Sequence, residues 1–98
     1  MIIITGSANI RPEHRDAALR LGVEHSARSR GEPGCLAHNC NIDAEDPLRL
    51  VFVEEWADMA AVKVHFAVPE SGQFVRGIAA MAETAPVMRL FGAEEIKL

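Results

Sequence analysis

Apolar and polar positions change period along the chain, and each change marks an element. Ile2 to Ile10 is rich in Ile and closes at Arg11-Pro12, the pattern of a first strand. Pro12, Glu13 and Asp16 then make a helix start, because proline suits a first turn and acids suit the positive helix end. Ala18, Leu21 and His25 follow at spacings of three and four and share one stripe. This helix is predicted to end near Arg30-Gly31, with Glu32-Pro33-Gly34 as a turn. Cys35 to Ile42 alternates as a strand. Strict alternation puts Leu36, His38, Cys40 and Ile42 on one side and Ala37, Asn39 and Asn41 on the other. Asp43 to Pro47 reads as a polar hairpin loop, and Leu48 to Trp56 as a central strand dense in Val, Leu and Phe.

Asp58 is placed to cap a second helix. Met59, Val62 and Phe66 form its apolar stripe, with Ala61 and His65 on the flank. Pro69 interrupts, and a third helical piece carries Phe74, Ile78 and Met81 at i, i+4 and i+7. A last strand starts about Val87 and runs towards Ile96. The order β-α-β-β-α-α-β predicts an α+β fold of ferredoxin-like type, one antiparallel four-stranded sheet with helices on one face. The other face stays bare. Ile2, Ile4, Leu50, Val51, Phe52 and Val53 make both faces of the central strands apolar, so a second subunit packed back to back is expected.

Composition sharpens this picture. Ninety-eight residues fit a single domain, 1–98. A hydrophobic share of 49% is high for so short a chain and again suggests a covered apolar surface. A net charge of −4 without a Lys/Arg block argues against nucleic acid and anionic membranes. The start, MIIITGSANI, matches neither a signal peptide nor a membrane span. Cys35 and Cys40, an odd number of positions apart, are expected on opposite strand faces and unbridged, which fits a reducing, cytoplasmic setting.

Candidate chemistry gathers around FVEEWADMAAVKVH, residues 52–65. Glu54 and Glu55 must point to opposite faces, and Trp56 falls in register with Leu50, Phe52 and Glu54. A buried carboxylate there needs a partner. A solvated or Arg89-paired carboxylate and a core tryptophan are the plain alternatives. His65, His25 and His38 come from three elements whose apolar sides meet, so they can converge between sheet and helices, whereas His14 reads as surface. His38 and Cys40, with His25 or His65, are the nearest approach to a metal set. No CxxC or HExxH spacing supports it, so no metal is assigned. Glycine-rich phosphate loops and a GxSxG elbow are absent as well.

The run His25-Ser26-Ala27-Arg28-Ser29-Arg30-Gly31-Glu32-Pro33-Gly34-Cys35, then Phe52-Val53-Glu54-Glu55-Trp56, then His65 with a proline shortly after, resembles the antibiotic biosynthesis monooxygenase superfamily. The resemblance spans nearly the whole chain in element order. It implies a homodimeric α+β barrel with a pocket between sheet and helices in each subunit. It also implies oxygenation of a small aromatic, quinol or polyketide-like phenol by O₂ without metal, flavin or haem. On that reading His65 or His25 is the base, and Asn9 or Arg89 stabilises the anion. Trp56 and Phe74 form the wall, with His38 and Glu54 also lining the site. The chain has no tyrosine, and His38 takes the place where many members carry one. The pattern of the haem-degrading branch is not clearly reproduced. An isomerase working by proton transfer and a non-catalytic ligand-binding dimer are the alternatives.

Overall fold

A computed structural model describes all 98 residues. The strands β1 (Ile2–Asn9), β2 (Cys35–Asp43), β3 (Asp46–Trp56) and β4 (Val87–Gly92) form one antiparallel sheet in the order β2-β3-β1-β4. A single 3-10 turn (Pro12–His14) leads into α1 (Arg15–Ser29), and α2 (Met59–Ala67) and α3 (Pro69–Met81) follow β3. Register decides what meets on the inner face. One rung runs Leu90–Ile4–Glu54–His38 across all four strands, and its neighbour runs Met88–Gly6–Phe52–Cys40.

Two apolar clusters hold helices to that face. The larger joins Ala8, Ile10, Ala18, Leu50, Phe52, Ile78 and Ala82, and the smaller joins Ile4, Trp56 and Val62. Burial of the Ile, Leu, Val and Phe side chains among them stabilises by about 1.5–3 kcal/mol each. Gly22 lets α1 lie close: a Cβ there would stand 2.7 Å from Cys40 Sγ and 3.0 Å from Phe52 Cζ. Pro69 opens α3 and holds Val68 extended (φ −64°, ψ 127°), which bends the chain between the two helices. The Asp58 carboxylate accepts the Ala61 amide at 2.9 Å and caps α2 as expected. No helix is long and apolar enough to cross a membrane.

Four expectations from periodicity are corrected. A bulge at Leu36 turns that residue outward and pairs Cys35 with Trp56, so both cysteines face inward. Their thiols are free, and five positions along one strand exceed the ~7 Å Cα separation that a disulfide spans. The hairpin is tighter than a five-residue loop, because Asp43 and Asp46 each accept a backbone amide two residues on and only Ala44-Glu45 lies between the strands. The packed side of α2 is Val62 and His65, while Met59 and Phe66 are exposed. The last strand stops at Gly92, short of Ile96: beyond the Ile2–Gly92 pair only Met1 and Ala93 exchange backbone hydrogen bonds.

Candidate functional site

Three histidines from three elements meet between the apolar clusters. His25 lies on the buried stripe of α1 with Ala18, Gly22 and Ser29, and His38 shares a rung with Glu54. His65 follows Val62 by one turn of α2. Ring centroids are 5.0 Å apart for His25 and His38, 5.4 Å for His25 and His65, and 5.6 Å for His38 and His65. All three rings are buried.

Each ring has a distinct partner at Nδ1, and the partner sets its chemistry. Arg28 Nη2 lies 2.7 Å from His25 Nδ1. A guanidinium has no acceptor, so His25 Nδ1 must accept and the neutral ring carries its proton on Nε2. Burial, then the charges of His38, Arg28 and His65, lower its pKa from 6.5 to about 3. His25 is therefore neutral over the physiological range, with its Nε2 N–H available as a donor. The plane of its ring stacks on Phe74 at 3.8 Å and 3°.

His65 is held the opposite way. Glu32 Oε1 lies 2.7 Å from its Nδ1, and a carboxylate can only accept, so Nδ1 carries a proton. The lone pair of the neutral ring is then on Nε2. Glu32 reaches His65 from the turn after α1, where Gly34 adopts φ +81° and a Cβ would stand 2.6 Å from Ala61 Cβ. Only glycine fits both the left-handed backbone and that close approach to α2.

Glu54 completes the constellation. Its Oε1 accepts the Trp56 indole N–H at 2.9 Å. The same oxygen stands 3.3 Å from His38 Nε2, without hydrogen-bond alignment, and 3.9 Å from His65 Nε2. Burial pushes the Glu54 carboxyl up. The adjacent His38 imidazole, the hydrogen bond from the Trp56 indole and the charge of His65 outweigh it, and its pKa falls below the usual carboxylate value. Ser26 Oγ holds His38 Nδ1 at 2.8 Å.

A cavity of about 290 Å³ opens onto this cluster, lined by His25, Glu54, His65, Phe74, Arg76 and Met88 among others. An apolar cavity of about 230 Å³ adjoins it, sharing Glu54 and Phe74 and extending past Phe52 and Ile78. Trp56 and His38 lie behind the cavity wall, where Trp56 packs 4.5 Å from the His65 ring. Asn9 and Arg89 do not reach the cavities. Both are exposed and project from the opposite sheet face, Asn9 opposite Arg49 and Arg89 opposite Thr5, with the Arg89 guanidinium 5.0 Å above the Phe91 ring. Strand parity excludes them, and Arg76 is the cation at the cavity instead.

Glu32, Arg28 and Ser26 were not singled out by sequence. Glu32 contacts a residue 33 positions away, and no spacing rule reports that. A signal for Ser26 and Ser29 did exist. Small residues at 22, 26 and 29 on one helical face mark a close approach of helix to sheet.

A sheet of order β2-β3-β1-β4 covered on one face by three helices, with a polar pocket beneath them, defines a ferredoxin-like α+β protein. The antibiotic biosynthesis monooxygenase family profile matches residues 1–77, and the chain belongs to that family. A crystal structure named as an antibiotic biosynthesis monooxygenase is 34% identical, with a TM-score of 0.88 over 97% of this chain and 100% of that one. A candidate family member from Deinococcus radiodurans, 24% identical, superposes with a TM-score of 0.94 over 100% of this chain and 97% of its own. An uncharacterized protein of Synechocystis sp. is 28% identical over 74 residues, 76% of this chain. The chain spans about half the length of that curated relative.

Proposed function

We propose that the chain is a monooxygenase that uses O₂ to oxidise a small phenol or quinol without metal, flavin or haem. The observation that supports this most is the 2.7 Å contact between Glu32 and His65, which leaves the His65 Nε2 lone pair free beside the cavity that His65, Glu54 and Phe74 line. The family's name points to the same class of reaction. His65 Nε2 takes the hydroxyl proton, and the imidazolium so formed is flanked by Glu32 and, at 3.9 Å, by Glu54. His25 supplies the donor for the phenolate oxygen, its Nδ1 being occupied by Arg28. The deprotonated ring is the stronger reductant for O₂. One oxygen atom enters the ring and the other leaves as water, with the quinol supplying all four electrons. Phe74 and the adjoining apolar cavity hold the ring and exclude water.

Oxygen consumption with a panel of hydroquinones and naphthols tests the reading. At least one member is expected to be turned over in chelator-treated buffer. Folded protein that binds aromatics but takes up no oxygen would leave a binding module. Proton exchange into a hydroxyketone without oxygen uptake would leave an isomerase.

The proposal includes a homodimer. Val53, Val87 and Phe91 are exposed on the sheet face that carries no helix, and a second copy covers them with a matching face. Sedimentation at micromolar concentration is expected to give twice the 10.7 kDa chain mass, and a monomer would remove this part.

A further inference from the structure

His38 and His65 each engage Nδ1 with a neighbouring side chain and turn Nε2 towards Glu54. In each, Nδ1 is committed to a partner, Ser26 Oγ at 2.8 Å and Glu32 Oε1 at 2.7 Å. In each, Nε2 approaches the same oxygen, Glu54 Oε1, at 3.3 and 3.9 Å. His38 Nε2 is fully buried and has no hydrogen-bond partner. Neighbouring ligands on one small ion, each at about 2.1 Å, stand about 3.0–3.4 Å apart, so the first separation fits and the second needs only a small turn of the His65 ring.

Charge points the same way. The Glu54 carboxylate is buried, and its ionic contacts are the two imidazoles alone, with no lysine or arginine. A buried carboxylate needs a positive partner, which is either a proton on an imidazole or a cation between the three groups. The Nδ1 hydrogen bonds are the outer support that fixes metal-binding imidazoles, one of them to a carboxylate.

His25 stands beside this set, and a ligand nitrogen of each of the three rings lies within 4.8 Å of the others. It is nonetheless not a ligand. Its Nδ1 accepts from Arg28 and its Nε2 carries the proton, so neither nitrogen has a free lone pair, and the guanidinium repels a cation. Cys40, the thiol that sequence places nearest His38, stands one rung away opposite Phe52 and packs against Gly22.

We propose that His38 Nε2, His65 Nε2 and Glu54 Oε1 form a site for a divalent first-row transition-metal ion, with its remaining positions open to the cavity. Two imidazoles and one carboxylate with open positions suit such ions, iron(II) and zinc among them. The ion takes the His65 lone pair that a base there uses, so metal binding and proton transfer exclude each other. Binding itself does not rest on the oxygenase reading.

The test titrates the chelator-stripped full chain with Co²⁺, followed by visible absorption, and with Zn²⁺ by equilibrium dialysis. One ion per chain is expected, with cobalt d–d bands and no thiolate charge-transfer band in the near ultraviolet. Ser26→Ala keeps all three ligands and weakens binding by about 10–100-fold. His38→Ala and Glu54→Gln weaken it further, while His25→Gln binds as the parent does. No ion held by folded parent protein overturns the site, as does a thiolate band or a His25→Gln loss equal to that of His38→Ala. The parent titration needs no variant to fold. Because it reads binding and not turnover, its failure leaves the oxygenase reading standing, and an inactive protein that holds cobalt leaves the site standing.

Discussion

His65→Gln is expected to lower quinol turnover by about 10²–10⁴-fold, the usual contribution of a positioned general base. Glutamine can still donate to Glu32 Oε1 but takes no proton at neutral pH, so a packing change alone does not explain such a loss. Glu32→Gln is expected to lose activity of the same order. An amide at that position can donate to His65 Nδ1, which moves the ring proton to Nε2 and removes the base from the cavity. Substrate binding should survive both changes, because Phe74 and the apolar cavity are untouched. The measurement is initial oxygen uptake in chelator-treated buffer, with affinity followed separately by fluorescence of the single tryptophan. His65→Gln turning over at the parent rate would rule His65 out as the base.

Acid is expected to destabilise the fold through His25. Its pKa is about 3 in the folded chain against 6.5 for an unperturbed histidine. The unfolded chain therefore binds the extra proton between those values, and stability falls as pH drops from about 6.5 towards 3. Glu54 acts in the same sense lower down. Its lowered pKa gives stability above the ordinary carboxylate value, and this is lost as pH falls through the folded value. By pH 4 the His25 share is about 3 kcal/mol. His25→Gln keeps an acceptor for Arg28 and removes the titration. Urea unfolding at pH 7 and pH 4.5 should show a large drop for the parent chain and a much smaller one for the variant. Equal slopes for the two proteins would mean that His25 is not the acid-sensitive group.

The two predictions rest on unequal legibility. His25 and His65 stood out in the sequence because each is a titratable group within an apolar helical pattern, and both are buried at the cavity. Their separate roles could not be read there. Arg28 is one helical turn from His25, a spacing that sequence does show, but which nitrogen it meets depends on the ring's tilt. Glu32 looked like a turn residue and is the carboxylate that orients His65. Asn9 and Arg89 failed for a simpler reason. Each lies on the strand parity that faces away from the helices, and only the register between strands reveals which parity that is.

The sequence by itself determined the elements, their order, the α1 stripe that carries Ala18 and His25, the cap at Asp58 and the placing of Glu54 in line with Trp56. These are local matters, governed by periods of 3.6 and 2 and by turn chemistry within a few residues. Tertiary structure alone decided the bulge that brings Cys35 inward and the rung that puts His38 against Glu54. It also decided the partners at each Nδ1, which leave His25 a neutral donor and His65 with an open lone pair. The physical reason is that a ring's proton sits where its nearest partner permits. Those partners come from segments up to 33 residues apart, which only the packed chain brings within 3 Å.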